Sequence, residues 1–397
     1  MNDNIRNLYK ISSKKSRVII GLMSGTSLDG LDIALCDISG AGMKTRVSIR
    51  KFITIPYDTE IRSRILAVFA KPNIEFRKLS ELNAWIALRH AEMVLSALKK
   101  WKIRPSSVDA IASHGQTVFH APMAVTPGVS VNSTLQIGDG DHIAVATGII
   151  TFSDFRQKHI AAGGEGAPLA VYGDYFLFSK KNEDRIMLNI GGIGNFTYLP
   201  GSLKTDKIFV TDTGPGNTMI DQAVRNFFTG RSFDQDAMIG SSGKVNGALL
   251  SALKRNPFFA LPFPKTTGPE QFNLEYLREA QRISNTGAAS IEDIIATLTR
   301  FTAETISEAI IRTVGRRPQR IFLSGGGAHN PLMTRWIREL LPRCTFSTTN
   351  ELGINGDAKE AVLFAVLANE SLAGGSTPFG KRKKVPSVSM GKVSFPR

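Results

Sequence analysis

Apolar runs that break at glycines set the rhythm of this chain. RVIIGLMSG reads as a strand, the polar turn TSLDG follows, and LDIALCDI resumes as a second strand. Together they predict a β-hairpin with small and polar residues at its tip. A related pattern returns at RIMLNIGG-IGN-FTYLPG, residues 185–201, and the repetition points to an internal duplication with one hairpin opening each half. Between the hairpins, residues 75–101 place apolar side chains at helical spacing, and VDAIASHG (108–115) reads as a strand. After the second hairpin, 291–314 predicts another amphipathic helix, RIFLSGGG (320–327) a buried strand ending in glycines, and 356–372 a final helix. Helices alternating with short apolar strands predict an α/β architecture with sheets covered on both faces.

Composition narrows the picture without changing it. At 397 residues the chain favours two domains, and its 42% hydrophobic and 21% charged content are ordinary for a globular protein. Cys36 and Cys344 stand alone, with no CxxC or Cys/His cluster, so two reduced thiols in a cytoplasmic protein are expected. The polar, basic N-terminus lacks the apolar core of a signal peptide, and no apolar run approaches the roughly 20 residues that span a bilayer. The net charge of +15 is scattered apart from KKSR near the start and GKRKK at 380–384. With no aromatic-basic motif and no zinc spacing, the expectation is attraction for anionic small substrates, not nucleic acid or membrane.

Three glycine-rich tips each follow a predicted strand: MSGTSLDG (23–30), DTGPGN (212–217) and SGGGAHNP (324–331). Successive backbone N–H groups at such tips bind phosphate oxygens, because glycine permits close approach and positive φ. Thr26 and Ser27 add hydroxyl donors, and Asp29 and Asp32 offer the oxygen ligands that suit a magnesium ion. Any one tip alone reads equally as a tight turn, and neither a Walker sequence nor a GxGxxG at the first βα turn is present. The three together predict a phosphate-handling α/β enzyme with a split nucleotide site. A further stretch, SDFRQKHIAAGGEGAPL (153–169), gathers Asp154, Arg156, Lys158, His159 and Glu165 around Gly163, Gly164 and Gly166. Such a segment brings backbone and charge together against a polar, reactive partner.

The ordered motifs GLMSGTSLDGLDIAL, SHGQTVFH, TLQIGDGDHIAVATGI, DFRxxxxAAGGEGAPL, LNIGGIGNFT, DTGPGN, TGPEQFN and SGGGAHNPLM resemble those of the anhydro-N-acetylmuramic acid kinases, from about Arg17 onward and including PSV at 386–388. The resemblance implies two duplicated actin/hexokinase-like domains around a central cleft, in the sugar kinase, Hsp70 and actin superfamily. It divides the chain into an N-terminal domain at 1–150, an active-site segment entering the second domain at 151–185, a C-terminal domain at 186–350, and a helix and tail at 351–397 packing back. It also implies an enzyme that uses ATP and Mg2+ on a cell-wall recycling sugar, with a homodimer as the assembly. Water opens the 1,6-anhydro ring while O6 attacks the γ-phosphate, giving N-acetylmuramic acid 6-phosphate. Cofactor residues carried over are Gly25, Thr26, Ser27, Leu28, Asp29, Gly30, Leu31 and Asp32, with Asp29 as the metal ligand. Asn189, Gly191, Gly192, Asp212, Gly214, Gly216, Asn217, Gly325, Gly326 and Gly327 complete the cofactor set.

The chain departs from the family pattern where the chemistry should happen. The family reads DFRxxDxAxGGQGAPL, its second Asp being the base that activates water, and here that position is His159. The family Gln is Glu165, and a Pro and a His just downstream are Val171 and Asp174. A histidine can deprotonate water, so His159 is expected to act as general base, with Glu165 orienting its imidazole and Asp154 as a further catalytic carboxylate. The alternatives are a weakened or altered-substrate relative that still binds sugar or nucleotide, and a phosphatase or ATPase on the same fold. His114, Gln116 and Arg156 are expected to contact sugar or phosphate, with a structural turn as the alternative for His114 and Gln116. Asp139 is expected either to face the cleft or to cap the next helix, and Asp357 and Glu360 to cap and solvate the last one.

Overall fold

The predicted strands are apolar on both faces, and the computed structural model, which describes residues 1–123, 126, 128–375, 379 and 385–397, shows why. β1 (Ser16–Ser24) and β2 (Gly30–Ser39) are buried almost throughout, as strands covered on two sides are. They form the predicted hairpin and continue into β3 (Arg46–Pro56), an antiparallel meander. β4 (Ala110–Ala121) then pairs parallel with β1, and β6 (Thr151–Ser153) parallel with β4. β5 (Ser133–Ile137) pairs antiparallel with β4.

The second hairpin repeats this design. β7 (Arg185–Ile190), β8 (Ile193–Leu199) and β9 (Phe209–Pro215) form the meander, and β10 (Arg320–Ser324) and β11 (Thr345–Thr348) add in parallel beyond β7. The sheet orders are therefore β3-β2-β1-β4-β6 and β9-β8-β7-β10-β11, the same topology written twice. β12 (Lys392–Ser394) closes the first sheet by pairing antiparallel with β6.

The chain divides into two compact units, Met1–Phe178 with Gly353–Arg397, and Ser179–Leu352. The segment 151–178 thus stays with the first unit instead of entering the second. Its strand β6 is bonded into the first sheet, and the helix Ala170–Phe178 packs on the helix Lys359–Ala373 of the same unit. In the first unit the helix Phe76–Trp101 buries Ile86, Val94 and Leu98 with Ile20, Leu22, Ile33 and Leu35 of the sheet. The helix Lys359–Ala373 also packs on β1, so closely that a Cβ on Gly21 would stand 1.8 Å from the Ala361 carbonyl oxygen. In the second unit the helix Ile291–Val314, capped by Ser290 accepting from the Asp293 N–H at 3.2 Å, buries Ile295, Leu298 and Ile306 with Leu188 and Phe196. Cys36 and Cys344 are free thiols, and no helix among the described residues is long and apolar enough to cross a membrane. The basic run at 380–384 lies outside the described residues.

Candidate active site

The first glycine tip begins where the register between β1 and β4 shifts, at Ser24 opposite Gln116. Ser24 Oγ donates to Gln116 Oε1, and Gln116 Nε2 donates to the Gly25 carbonyl at 3.3 Å. Tyr57 adds a hydroxyl bond to Ser24 at 2.8 Å and lies 2.7 Å from His90 Nε2. Gln116 is fully buried, and these bonds hold the end of β1. Beyond Gly25, Leu28 adopts φ 58° to turn the chain, and Thr26, Ser27 and Asp29 are exposed. Leu28 and Leu31 bury their side chains in the core, so the sequence-based set is divided here: they anchor the tip while their neighbours face outward. Asp32 accepts from Thr54 Oγ1 at 2.5 Å, and burial pushes its carboxyl up, with Asp357 and Asp29 adding to the shift.

Arg156 is the centre of the charged segment. Its Nε donates to His114 Nε2 at 2.9 Å and its Nη1 to the Gly166 carbonyl at 2.8 Å. Burial brings the guanidinium down to about 10, against the pull of Glu360. His114 stands on β4 with its ring 4.7 Å from that of Phe364, and burial together with Arg156 holds it well below the usual imidazole range.

His159 is fully buried in the helix Phe155–Ala161, edge-on to Tyr172 at 5.8 Å. Its Nδ1 accepts the Gly166 N–H at 2.9 Å, so the neutral ring carries its proton on Nε2. Burial, reinforced by Arg156, lowers its pKa to about 4. Nδ1 is thus taken by a backbone N–H and Nε2 already bears the proton, so neither nitrogen is placed to take one from water, and the bond that orients the ring comes from Gly166 where Glu165 was expected to supply it. Asp154 also differs from its expected role: its carboxylate pairs with Lys392 of β12 and ties the last strand to the sheet. Glu165 is half-buried and adds a negative field at His120. Asp174, in place of the family's His, is buried and paired with Lys359 at 2.8 Å.

Glu360 was missed because an acidic residue in a first helical turn looks like a solvated helix end. The residue before that helix, Ala358, makes no side-chain cap. Glu360 keeps an open face to solvent, yet the protein crowding around it pushes its carboxyl up. Lys359 and Arg156 oppose that shift, while Asp32 and Asp174 add to it. Asp139, by contrast, is a helix cap: its carboxylate accepts the Asp141 N–H at 2.9 Å.

In the second unit the β7–β8 turn at Gly191 and Gly192 and the tips at 212–217 and 324–331 converge on one another. Gly216 and Asn217 donate their N–H groups to Gly192 and Gly191, each at 2.8 Å, and a Cβ on Gly216 would lie 2.2 Å from the Gly191 carbonyl. Gly325 adopts φ 80°, and a Cβ there would stand 2.7 Å from both Asn189 Oδ1 and the Ile190 carbonyl. Gly326 lies beside Asn217, and Gly327 packs on Ile190 and Asn217. Gly214, at φ 137°, is packed against the Phe259 ring. Asp212 accepts the Thr267 N–H at 2.9 Å, and burial raises its carboxyl to about 6. No group of three His, Cys, Asp or Glu side chains forms a metal cluster among the described residues.

Two sheets of matching strand order, each with glycine-ended strands, make a duplicated α/β scaffold, as expected of a phosphate-handling enzyme built from two related halves. A family model described as anhydro-N-acetylmuramic acid kinase matches residues 17–381. Proteins of that name from Pseudoalteromonas atlantica and Pseudoalteromonas translucida are 51% and 49% identical over the full length of both chains. Another from Caldanaerobacter subterraneus is 38% identical over 98% of this chain and 99% of its own. The chain belongs to the anhydro-N-acetylmuramic acid kinase family.

Proposed function

We propose that this chain transfers the γ-phosphoryl group of ATP to O6 of 1,6-anhydro-N-acetylmuramic acid while water opens the anhydro ring. The oxygen of water bonds to the anomeric carbon, the bond from that carbon to O6 breaks, and O6 takes the phosphoryl group as ADP leaves. The observation that carries this reading is the Arg156 centre: a guanidinium held by two neutral acceptors, His114 and Gly166, within the field of a solvent-facing carboxyl whose pKa is raised. Glu360 supplies the base, since a carboxyl raised by its surroundings accepts a proton from water more readily than an ordinary one. The N–H groups of Arg156 beyond those two bonds suit an anionic or strongly polar substrate group.

The tip at 25–30, with Thr26 and Ser27, supplies donors for phosphate oxygens. Asp29 and Asp32 are the carboxylates that would hold Mg2+, which offsets phosphate charge when bound. Such an ion binds through one or two carboxylates together with phosphate and water. The tips of the second unit, with Asn189, Asp212 and Asn217, form its nucleotide-facing surface. A cytoplasmic, homodimeric enzyme of cell-wall recycling is the context that follows from family membership. Incubation with ATP, Mg2+ and the anhydro sugar, followed by mass spectrometry, is expected to yield a ring-opened sugar phosphate and ADP. ADP and free phosphate with the sugar unchanged would replace the kinase reading with an ATPase.

A further inference from the structure

We infer that His159 is a positioning residue that holds Gly166, and through it Arg156, and exchanges no proton with the substrate. The bonds form one continuous path. His159 Nδ1 takes the Gly166 N–H at 2.9 Å, the Gly166 carbonyl takes Arg156 Nη1 at 2.8 Å, and Arg156 Nε reaches His114 at 2.9 Å. Both backbone groups of Gly166 are thus fixed, one by a ring and one by the guanidinium.

The packing around this path admits little else. Gly166 adopts φ 83°, and a Cβ there would meet Ile160 Cδ1 and Thr134 Cγ2 at 3.1 Å each. Gly164 presses on the imidazole so closely that a Cβ would stand 2.2 Å from His159 Cε1. Asn132 Nδ2 holds the Gly164 carbonyl at 3.0 Å. The ring is thereby wedged between a glycine and the perpendicular ring of Tyr172, with its acceptor nitrogen committed to backbone. Arg156 is the charged group whose field acts on the ring, and it opposes protonation. An acceptor that must stay neutral to keep its bond suits a clamp and not a proton shuttle.

This inference builds on the sugar-kinase reading only for its kinetic arm. In the full-length protein labelled with 15N-histidine, His159, assigned by loss of its signal in His159→Asn, is expected to show the Nε2–H tautomer. Its shifts should stay constant from pH 8 to 5.5. An Nδ1–H tautomer, or a midpoint near 6.5, would overturn the clamp whatever the enzyme does. For kinetics, His159→Asn places an amide oxygen where Nδ1 stands, whereas His159→Gln matches the Nε2 side. The Asn variant should keep turnover within about threefold of the parent, and the Gln variant should raise the sugar KM about tenfold, the scale of one lost buried acceptor. A fall in kcat of about 10²–10⁴ in both variants, as for a lost general base, would refute the proposal. If the parent protein leaves the anhydro sugar untouched, the functional reading fails while the tautomer measurement still decides the clamp.

Discussion

The two units build one strand order and put it to different uses. In the first, the tip after β1 opens into exposed Thr26, Ser27 and Asp29, and a charged centre of Arg156, His114 and Glu360 forms on neighbouring elements. In the second, tip packs against tip, with glycine backbones in contact and, among the described residues, no buried arginine or histidine beside them. A duplicated backbone therefore supplies two sets of glycine-lined strand ends, and the charged centre around Arg156 is grafted onto one of them.

That contrast is broken most directly at Glu360. Glu360→Gln should lower kcat by about 10²–10⁴ with little change in melting temperature. Near-parental turnover would remove the carboxylate from the chemistry and leave the first unit without a base. In the second unit the matching test is steric. Gly216→Ala sets a Cβ against the Gly191 carbonyl, where backbone and not a flexible side chain must give way. A loss of about 1–3 kcal/mol in unfolding free energy is expected, and a neutral result would show that the tips are looser than drawn.

Acid should separate the units further. Burial lowers both His90 and His159 to about 4. The unfolded chain takes up those protons near pH 6.5 while the folded chain refuses them, so their stabilisation is complete above that value and is lost as pH falls toward 4. Each histidine contributes a slope of about 1.4 kcal/mol per pH unit in that window. Raised carboxyls of the first unit, Asp32, Glu360 and Glu370, offset part of this loss. Asp212 and Asp221, both near 6, act in the opposite sense, favouring the folded second unit as pH falls from about 6 toward 4. Hydrogen exchange at pH 7 and 5 should therefore show protection falling more in the helix Phe76–Trp101 than in Ile291–Val314, and His90→Gln should narrow the gap. Parallel losses in both helices would count against these assignments. The smallest effect belongs to Lys392→Ala, which removes a largely exposed partner of Asp154 and should cost under about 1 kcal/mol in chemical denaturation.

Much of the scaffold was legible because its signals are local. Both hairpins, the long helices and the glycine tips follow from apolar periodicity and from breaks at glycine. The unit boundary was not legible, because residues 151–178 belong to the first sheet through pairing with β4 and β12, contacts that no local pattern announces. Within the site, motif spacing brought out Arg156 and His114, which lie together. It could not tell that Leu28 and Leu31 face the core, since a strand end and its tip share one motif. Nor could it separate the roles of His159 and Glu360. The first depends on a backbone N–H seven residues away, and the second on charges from distant elements.

The last strand and last long helix of the first unit come from the end of the chain, after the whole of the second. During synthesis residues 179–352 can therefore condense while their predecessor still lacks β12 and the cover over β1. A nascent chain halted after Leu352 should present a protease-resistant later half beside a digestible earlier one, and completion of the tail should seal it.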